Sequence, residues 1–277
     1  MRKLLIIGLT IVLVLSITGL IIAGNTGDIT QTGSNSSATI DQKGDLNSAV
    51  IEQETDTSTA TIEQDGTENS ASIDMDRERV GDPTSNGKDH EGYQVQIGDF
   101  NTAEIYSRGR GQYASQEQLS DDNEAYITQE GALAGFAYQL QDTGDGNYAN
   151  ILQGGGGQSG RDAYAWQEQL GTDNYVDTHQ AGGPRVYPGH GNNRAFFYQI
   201  GIENEGYQYQ YGLDNYLTAT SEGNYNYVNQ SQDGNTNYVE LIQIGNSNYC
   251  VQTQTGNDNS SIIFQTGNEN TAEVIQN

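Results

Sequence analysis

The chain has 277 residues and a formal net charge of −26, and only 34% of its residues are hydrophobic. So strong an excess of acidic groups repels phosphates, which excludes a nucleic-acid-binding role. One Cys excludes an internal disulfide, and low hydrophobicity with high charge is typical either of disorder or of a fold without a large apolar core.

The first 24 residues differ from everything that follows. Met1-Arg2-Lys3 is a short basic start, and the segment from Leu4 to Ala23 is almost wholly apolar. We interpret residues 1–24 as a signal peptide for export. An apolar run of this length is also long enough to span a bilayer, so an uncleaved N-terminal anchor is the alternative.

Residues 25–75 repeat a polar pattern at an interval of 11 residues. The repeated positions hold Gln31, Gln42, Gln53 and Gln64, with Gly33, Gly44 and Gly66 two places later and Asn47 and Asn69 five places later. Offsets five, seven, nine and eleven share one parity, which in a strand directs their side chains to one face. Gly followed by a polar residue is typical of a tight turn. Each unit is therefore predicted to be one strand and one turn.

Two units are predicted to form a strand-turn-strand rung of 22 residues, with successive rungs stacked about 4.8 Å apart. This predicts an all-β, cross-β fold, a β-solenoid of about 11 rungs. The inward Gln and Asn would form amide ladders, each side chain donating to one neighbouring rung and accepting from the other. A buried amide without partners costs about 1–3 kcal/mol, so only stacking makes a polar interior stable.

The rest of the chain continues this pattern with two interruptions. Residues 76–93 and 181–195 are predicted insertion loops, which either contact a partner or are tolerated loop growth; residues 94–180 are repeats with phase slips, and residues 196–277 are regular repeats. The predicted amide-ladder core continues with Gln96, Asn101, Gln118, Asn123, Gln199, Asn204, Gln210, Asn215, Asn226, Gln232, Asn237, Gln243, Asn248, Gln254, Asn259, Gln265, Asn270 and Gln276. The further predicted turn glycines are Gly98, Gly201, Gly212, Gly223, Gly234, Gly245, Gly256 and Gly267.

Four tyrosines recur every 11 residues in the last block, and they are predicted to face outward. Tyr216 would stack on Tyr238 and Tyr227 on Tyr249, one pair in each sheet; a surface-binding or lateral packing role is the alternative. Cys250 falls in a small inward slot and is predicted to be buried.

Acidic side chains occupy an outward slot of the N-terminal block. Asp41, Glu52, Glu63 and Asp74 would stack as like charges, which is destabilising. We hypothesise that residues 199–277 nucleate the assembly of copies of the chain. The N-terminal block would assemble only after acid, salt or divalent cations neutralise its charges. The alternative is an acidic surface kept for solubility.

The unit from Gln42 to Gln53, Q-x-G-x-x-N-x-A-x-x-x-Q, resembles the curlin repeat of bacterial curli fibres, and the resemblance extends over nearly all of residues 29–277. It implies a secreted structural subunit that forms extracellular amyloid fibres at the cell surface for adhesion and biofilm matrix. It also implies partners: other copies of the chain stacked head to tail, a nucleator subunit, and secretion and assembly factors. In that family the inward Gln and Asn ladders stabilise the fibre core and drive assembly. The resemblance implies this role here for Gln42, Asn47, Gln64, Asn69, Gln96, Asn101 and the Gln and Asn residues named above between positions 199 and 276.

Soluble solenoids generally have terminal caps, and the sequence indicates none, which favours head-to-tail stacking. A monomer whose ends are covered by the insertions is one alternative. A secreted monomeric β-solenoid that binds a surface such as polysaccharide or ice is another, although the outward slots vary from rung to rung. An enzyme of the β-helix type is third. No catalytic motif, cofactor motif or metal motif emerges, since His90, His179 and His190 lack the spacing of a zinc site.

Overall fold

A computed structural model of the chain describes residues 24–76, 89–154, 163–181 and 192–277. These ranges contain 21 strands and no helix, and so no helix among them is suited to crossing a membrane. The predicted all-β fold is confirmed. The predicted signal peptide lies outside the described residues, apart from Gly24 at its end.

The strands alternate between two parallel sheets, because each turn carries the chain from one sheet to the other. The eleven-stranded sheet contains β1 (Thr26–Gln31), β3 (Ser48–Gln53), β5 (Ser70–Asp76), β7 (Thr102–Arg110), β9 (Glu124–Leu133), β11 (Tyr148–Gln153), β13 (Tyr175–Ala181), β15 (Glu205–Tyr211), β17 (Tyr227–Asp233), β19 (Tyr249–Thr255) and β21 (Thr271–Gln276). The ten-stranded sheet contains β2 (Ser37–Asp45), β4 (Thr59–Thr67), β6 (Glu91–Ile97), β8 (Tyr113–Gln118), β10 (Phe136–Asp142), β12 (Tyr164–Thr172), β14 (Arg194–Ile202), β16 (Tyr216–Glu222), β18 (Tyr238–Ile244) and β20 (Ser260–Thr266).

Each strand pairs with the strand two units away, and the register places the same repeat position on neighbouring rungs side by side. Gln232 lies opposite Gln254, 22 residues later. Where the chain is longer the alignment is kept, since Gln64 lies opposite Gln96, 32 residues later. Extra residues are therefore accommodated between strands and leave the register unchanged. This arrangement is the predicted β-solenoid.

The borders of the two predicted insertions fall inside strands. Residues 91–93 belong to β6, and Arg194 and Ala195 belong to β14. Residues 77–88 and 182–191 lie outside the described residues, together with Arg77, Arg79, Pro83, Pro184 and His190. The register around both segments is that of the repeats on either side.

The apolar core is thin, and the sheet that supplies its larger side chains changes along the solenoid. In the first rungs the slot nine places after Gln holds Ile in both sheets, as at Ile51 and Ile62, which are 0% exposed. Further along, the eleven-stranded sheet supplies the apolar side chain, as Ile127 of β9, and the ten-stranded sheet supplies Gln116 of β8. Beyond the middle of the solenoid, the apolar side chain comes from the ten-stranded sheet. There the slot holds Phe197, Ala219, Leu241 and Ile263, and the other sheet has Gln208, Gln230 and Gln252.

The turns use two residues with positive φ. The predicted turn glycines have φ between 89° and 142°, and a Cβ at Gly234 would collide with the carbonyl oxygen of Gly256. Two places after each glycine stands a left-handed residue of any type, such as Tyr225 (φ 59°) or Thr236 (φ 59°). Their N–H groups bond to the turn one rung earlier, as Thr236 donates to the Leu213 carbonyl at 2.9 Å. The ladder of turns offsets the strain of these conformations.

We expect two substitutions in one turn to act in opposite directions. Gly234→Ala should lower the free energy of unfolding by about 2 kcal/mol or more, because the left-handed strain adds to a backbone collision. Thr236→Gly should raise it by about 0.5–1 kcal/mol, because Gly adopts this φ without the steric penalty of a β-branched residue. Urea unfolding of the monomer measures both. Destabilisation by Thr236→Gly equal to that by Gly234→Ala would contradict this description of the turn.

Candidate functional site

The Gln side chains of the repeat form columns inside the solenoid. In the ten-stranded sheet Gln64 Nε2 donates to Gln96 Oε1 at 2.8 Å, and Gln96 Nε2 donates to Gln118 Oε1 at 2.9 Å. The eleven-stranded sheet has the same arrangement, with Gln232 Nε2 donating to Gln254 Oε1 at 3.1 Å. Most Gln side chains thus have their counterpart on the next rung as a hydrogen-bond partner; Gln53 instead faces Met75, and Gln199 faces Ser221.

The second N–H of most of these amides joins the two sheets. Gln118 Nε2 also donates to the backbone carbonyl of Thr102 in the opposite sheet at 3.0 Å. Because a carbonyl only accepts, the nitrogen is the atom that faces it, and this fixes the orientation of the amide. Every Gln-to-Gln bond in the described columns therefore runs from the earlier to the later rung. The columns are polar, with acceptors directed to the N-terminal end and donors to the C-terminal end.

The predicted ladder residues of the interior rungs are buried. They are Asn47, Gln53, Gln64, Asn69, Gln96, Asn101, Gln118, Asn123, Gln199, Asn204, Gln210, Asn215, Asn226, Gln232, Asn237, Gln243, Asn248, Gln254 and Gln265. The remaining five are only half-buried, because they lie at the two ends of the described solenoid: Gln31, Gln42, Asn259, Asn270 and Gln276.

The Asn residues bond mainly to backbone, which differs from the predicted ladder of amide to amide. Asn215 Oδ1 accepts from the backbone N–H of Asn237 at 3.1 Å, and Asn215 Nδ2 donates to the carbonyl of Gly234 at 2.8 Å. Both partners belong to the next rung. The Asn side chain is one methylene shorter than Gln, so its amide lies level with the turn. Contacts between Asn side chains, such as Asn248 Nδ2 to Asn226 Oδ1 at 3.1 Å, occur in addition.

The structure contains a second Gln column that was not predicted. Gln94 donates to Gln116, Gln116 to Gln139 and Gln139 to Gln167, each at 2.9 Å, all within the ten-stranded sheet. The column then changes sheet, because Gln167 Nε2 donates to Thr178 Oγ1 at 2.9 Å and Thr178 Oγ1 lies 3.4 Å from Gln208 Oε1. It continues through Gln230 and Gln252. The sequence signal for this column was the alternation of Ile with Gln in one slot.

The main column of the ten-stranded sheet is broken at one rung. Ser221 stands where other rungs have Gln, and its hydroxyl does not reach either neighbour. Gln199 Nε2, Ser221 Oγ and Gln243 Oε1 are all buried without a hydrogen-bond partner among the described residues. This gap is a local weakness, because each unsatisfied buried group destabilises the folded chain.

Aromatic rings form longer columns on the outer faces than the predicted pairs. Tyr216 stacks on Tyr238 with centroids 5.2 Å apart, and Tyr227 stacks on Tyr249 at 4.8 Å. Each sheet therefore contains more ring contacts than the single tyrosine pair that was predicted. In the ten-stranded sheet the contacts run through Tyr93, Tyr113, Phe136, Tyr164, Phe196, Tyr216 and Tyr238. In the eleven-stranded sheet they run through Tyr126, Tyr148, Tyr175, Tyr207, Tyr227 and Tyr249.

Acidic side chains gather on the outer face of β5 and its neighbours. Asp74 lies opposite Glu52 of β3 in the parallel register. Burial of the Asp74 carboxyl, followed by the charges of Glu52, Asp76, Glu54 and Glu104, raises its pKa from 3.8 to about 6. The folded chain therefore holds this proton more tightly than the unfolded chain does.

No group of side chains suited to a metal ion is found in the part of the chain that the structure describes. His90 is buried, with Nε2 at 3.0 Å from the Gly109 carbonyl oxygen, and burial lowers its pKa. Burial likewise lowers the pKa of His179, whose ring meets that of Tyr209 edge-on. Cys250 is 0% exposed, and burial raises the pKa of its thiol to about 12. Burial therefore favours the uncharged form of both His side chains and of the Cys250 thiol.

Gln118→Ser should destabilise the chain by about 1–3 kcal/mol, because it leaves one N–H of Gln96 and the Oε1 of Gln141 unsatisfied. Ser221→Gln in the same sheet should stabilise it by a similar amount, because it joins Gln199 to Gln243. Urea unfolding of the two variants at a concentration that keeps the chain monomeric measures both effects. Equal and small effects would contradict the importance of the column.

Asp74→Asn should stabilise the chain at pH 7 and change little near pH 3.5. A carboxyl whose pKa is raised by folding contributes stability that is present below pH 3.8 and is lost as the pH rises through about 6. Urea midpoints at the two pH values measure this, with Asp233→Asn as the control at an outward position away from the acidic group. A gain of equal size at both pH values would count against it.

Comparison with known proteins agrees with this geometry. Two overlapping segments, residues 23–54 and 33–66, match the family model of the curlin associated repeat, and no curated protein matches the chain. The strand and turn of those segments continue in the same register to β21. The matched family is one of structural proteins and not of enzymes. Residues 23–66 are therefore similar to the curlin associated repeat, and that family implies a structural subunit of the curli type.

Proposed function

We propose that the chain is a secreted structural subunit that assembles head to tail into extracellular amyloid fibres. The fibres would lie at the cell surface and serve adhesion and biofilm matrix. The partners of this function are other copies of the chain, a nucleator subunit, and secretion and assembly factors. The predicted ladder residues, turn glycines and tyrosine stacks would form the core and the outer faces of the fibre.

The observation that carries this proposal is the state of the two ends of the described solenoid. At one end β1 and β2, and at the other β20 and β21, have a partner strand on one side only among the described residues. Inward side chains that are buried elsewhere are partly exposed there, as at Gln31 and Gln276. Unpaired parallel edges are templates for another chain.

The alternative of a monomeric, surface-binding solenoid gains no support from the outer faces. Binding to a regular surface requires a repeated flat pattern, whereas one outward slot of the ten-stranded sheet holds Glu240 and then Ile262 on successive rungs. The rings of the aromatic columns contact one another at centroid distances of 4.5–5.9 Å, some stacked and some tilted. Such rings contribute about 0.5–1.5 kcal/mol per pair to the column itself.

Sedimentation at rising concentration, with thioflavin fluorescence, tests the proposal. We expect the purified chain without residues 1–24 to convert to large, thioflavin-positive particles above a threshold concentration. A chain that stays monomeric in concentrated solution would contradict fibre assembly and favour the surface-binding alternative.

A matched pair of variants in β21 tests whether the end strand is the site of growth. Val274→Lys places a charge on the inward face of the edge and should suppress fibres, because the next copy would bury it. Glu273→Lys changes the outward neighbour and should still assemble. Far-UV circular dichroism shows whether the solenoid is retained in both. Equal growth of the two variants would exclude β21 as the growing edge.

A further inference from the structure

The two sheets of the described solenoid differ by one strand, with eleven in one and ten in the other. Because consecutive strands alternate between sheets, the position that follows β21 along the path lies in the ten-stranded sheet, on β20. A second copy added in the same orientation would place its own β1 on β21. Its β2 would then lie two strand positions beyond β20, with one empty position between them.

We propose that successive copies are related by a half-turn about the solenoid axis, so that β1 of the next copy pairs with β20 and its β2 pairs with β21. This inference rests on the proposed fibre assembly and specifies its interface. With the half-turn every strand position of both sheets is filled, and the two sheets exchange places from one copy to the next. The fibre then has an approximate twofold screw axis.

The charges of the end strands favour the half-turn independently. If Gln31 of β1 is aligned with Gln276 of β21, Asp28 lies directly opposite Glu273, and like charges opposite each other are destabilising. If Gln31 is aligned with Gln265 of β20 instead, Asp28 lies opposite Ile262. In that arrangement Glu273 lies opposite Thr39 of β2, and the interface contains no directly opposed pair of like charges.

The amide columns supply matching donors and acceptors at this interface. Gln265 Nε2 and Gln276 Nε2 each donate one N–H to a backbone carbonyl, of Tyr249 and Ser260, and retain a second N–H. At the other end, Gln31 Oε1 and Gln42 Oε1 have no donor among the described residues, since both side chains donate onward through Nε2. The half-turn brings Gln265 to Gln31 of the next copy and Gln276 to Gln42.

Disulfide trapping distinguishes the two arrangements. Residues directly opposite on neighbouring parallel strands have Cα atoms about 4.8 Å apart, a separation that a disulfide spans. We would assemble fibres under reducing conditions from full-length mature chain carrying Cys250→Ala, which removes the native thiol, and one of three pairs. Asp28→Cys with Ile262→Cys, and Thr39→Cys with Glu273→Cys, test the half-turn. Asp28→Cys with Glu273→Cys tests the unrotated arrangement, and it also removes the opposed charges that disfavour it.

After mild oxidation with oxidised glutathione and dissolution of the fibres, we expect non-reducing gels to show a ladder of covalent multimers for the first two pairs. The third pair should remain monomeric on the gel. A ladder from the third pair, or fibres that give no ladder from any pair, would overturn the half-turn and leave assembly standing. No fibres from the Cys250→Ala parent would overturn assembly itself.

Discussion

The whole structure depends on one hydrogen bond, from the amide of a Gln to the same amide one rung later. A buried amide without partners costs about 1–3 kcal/mol, so a polar interior is stable only if every rung is in register. The second N–H, as from Gln118 to the Thr102 carbonyl, ties each column to the opposite sheet. A slip of one residue would direct every Gln to water and every outward residue inward. The columns therefore set the register as well as the stability.

The same bond explains why the register is kept across extra residues and why the two ends of the described solenoid differ from its middle. Extra residues leave the register of Gln64 with Gln96 unchanged, because the columns on both sides realign the strands. The ends are different, since each column finishes with an amide that has lost one partner. In the proposed fibre, an in-register strand of another copy supplies that partner. Folding and the proposed assembly would then use one interaction.

The sequence predicted the two-strand rung and the parallel stacking because the 11-residue interval survives in the Gln, Gly and Asn slots. It did not predict the backbone bonding of Asn215, because residue type does not show that a side chain one methylene shorter reaches the turn. The left-handed position was not predicted because residues as different as Leu46, Tyr225 and Thr236 occupy it. The change of sheet at Thr178 and the continuation of the aromatic columns through Phe136 and Phe196 depend on three-dimensional neighbours across the phase slips.

Electron cryomicroscopy of assembled fibres tests the central claim most directly. We predict two continuous parallel sheets with a strand spacing of about 4.8 Å, and inward Gln columns that pass without interruption from one copy to the next. Fibres in which the Gln side chains point into water, or in which the columns stop at each boundary between copies, would contradict it.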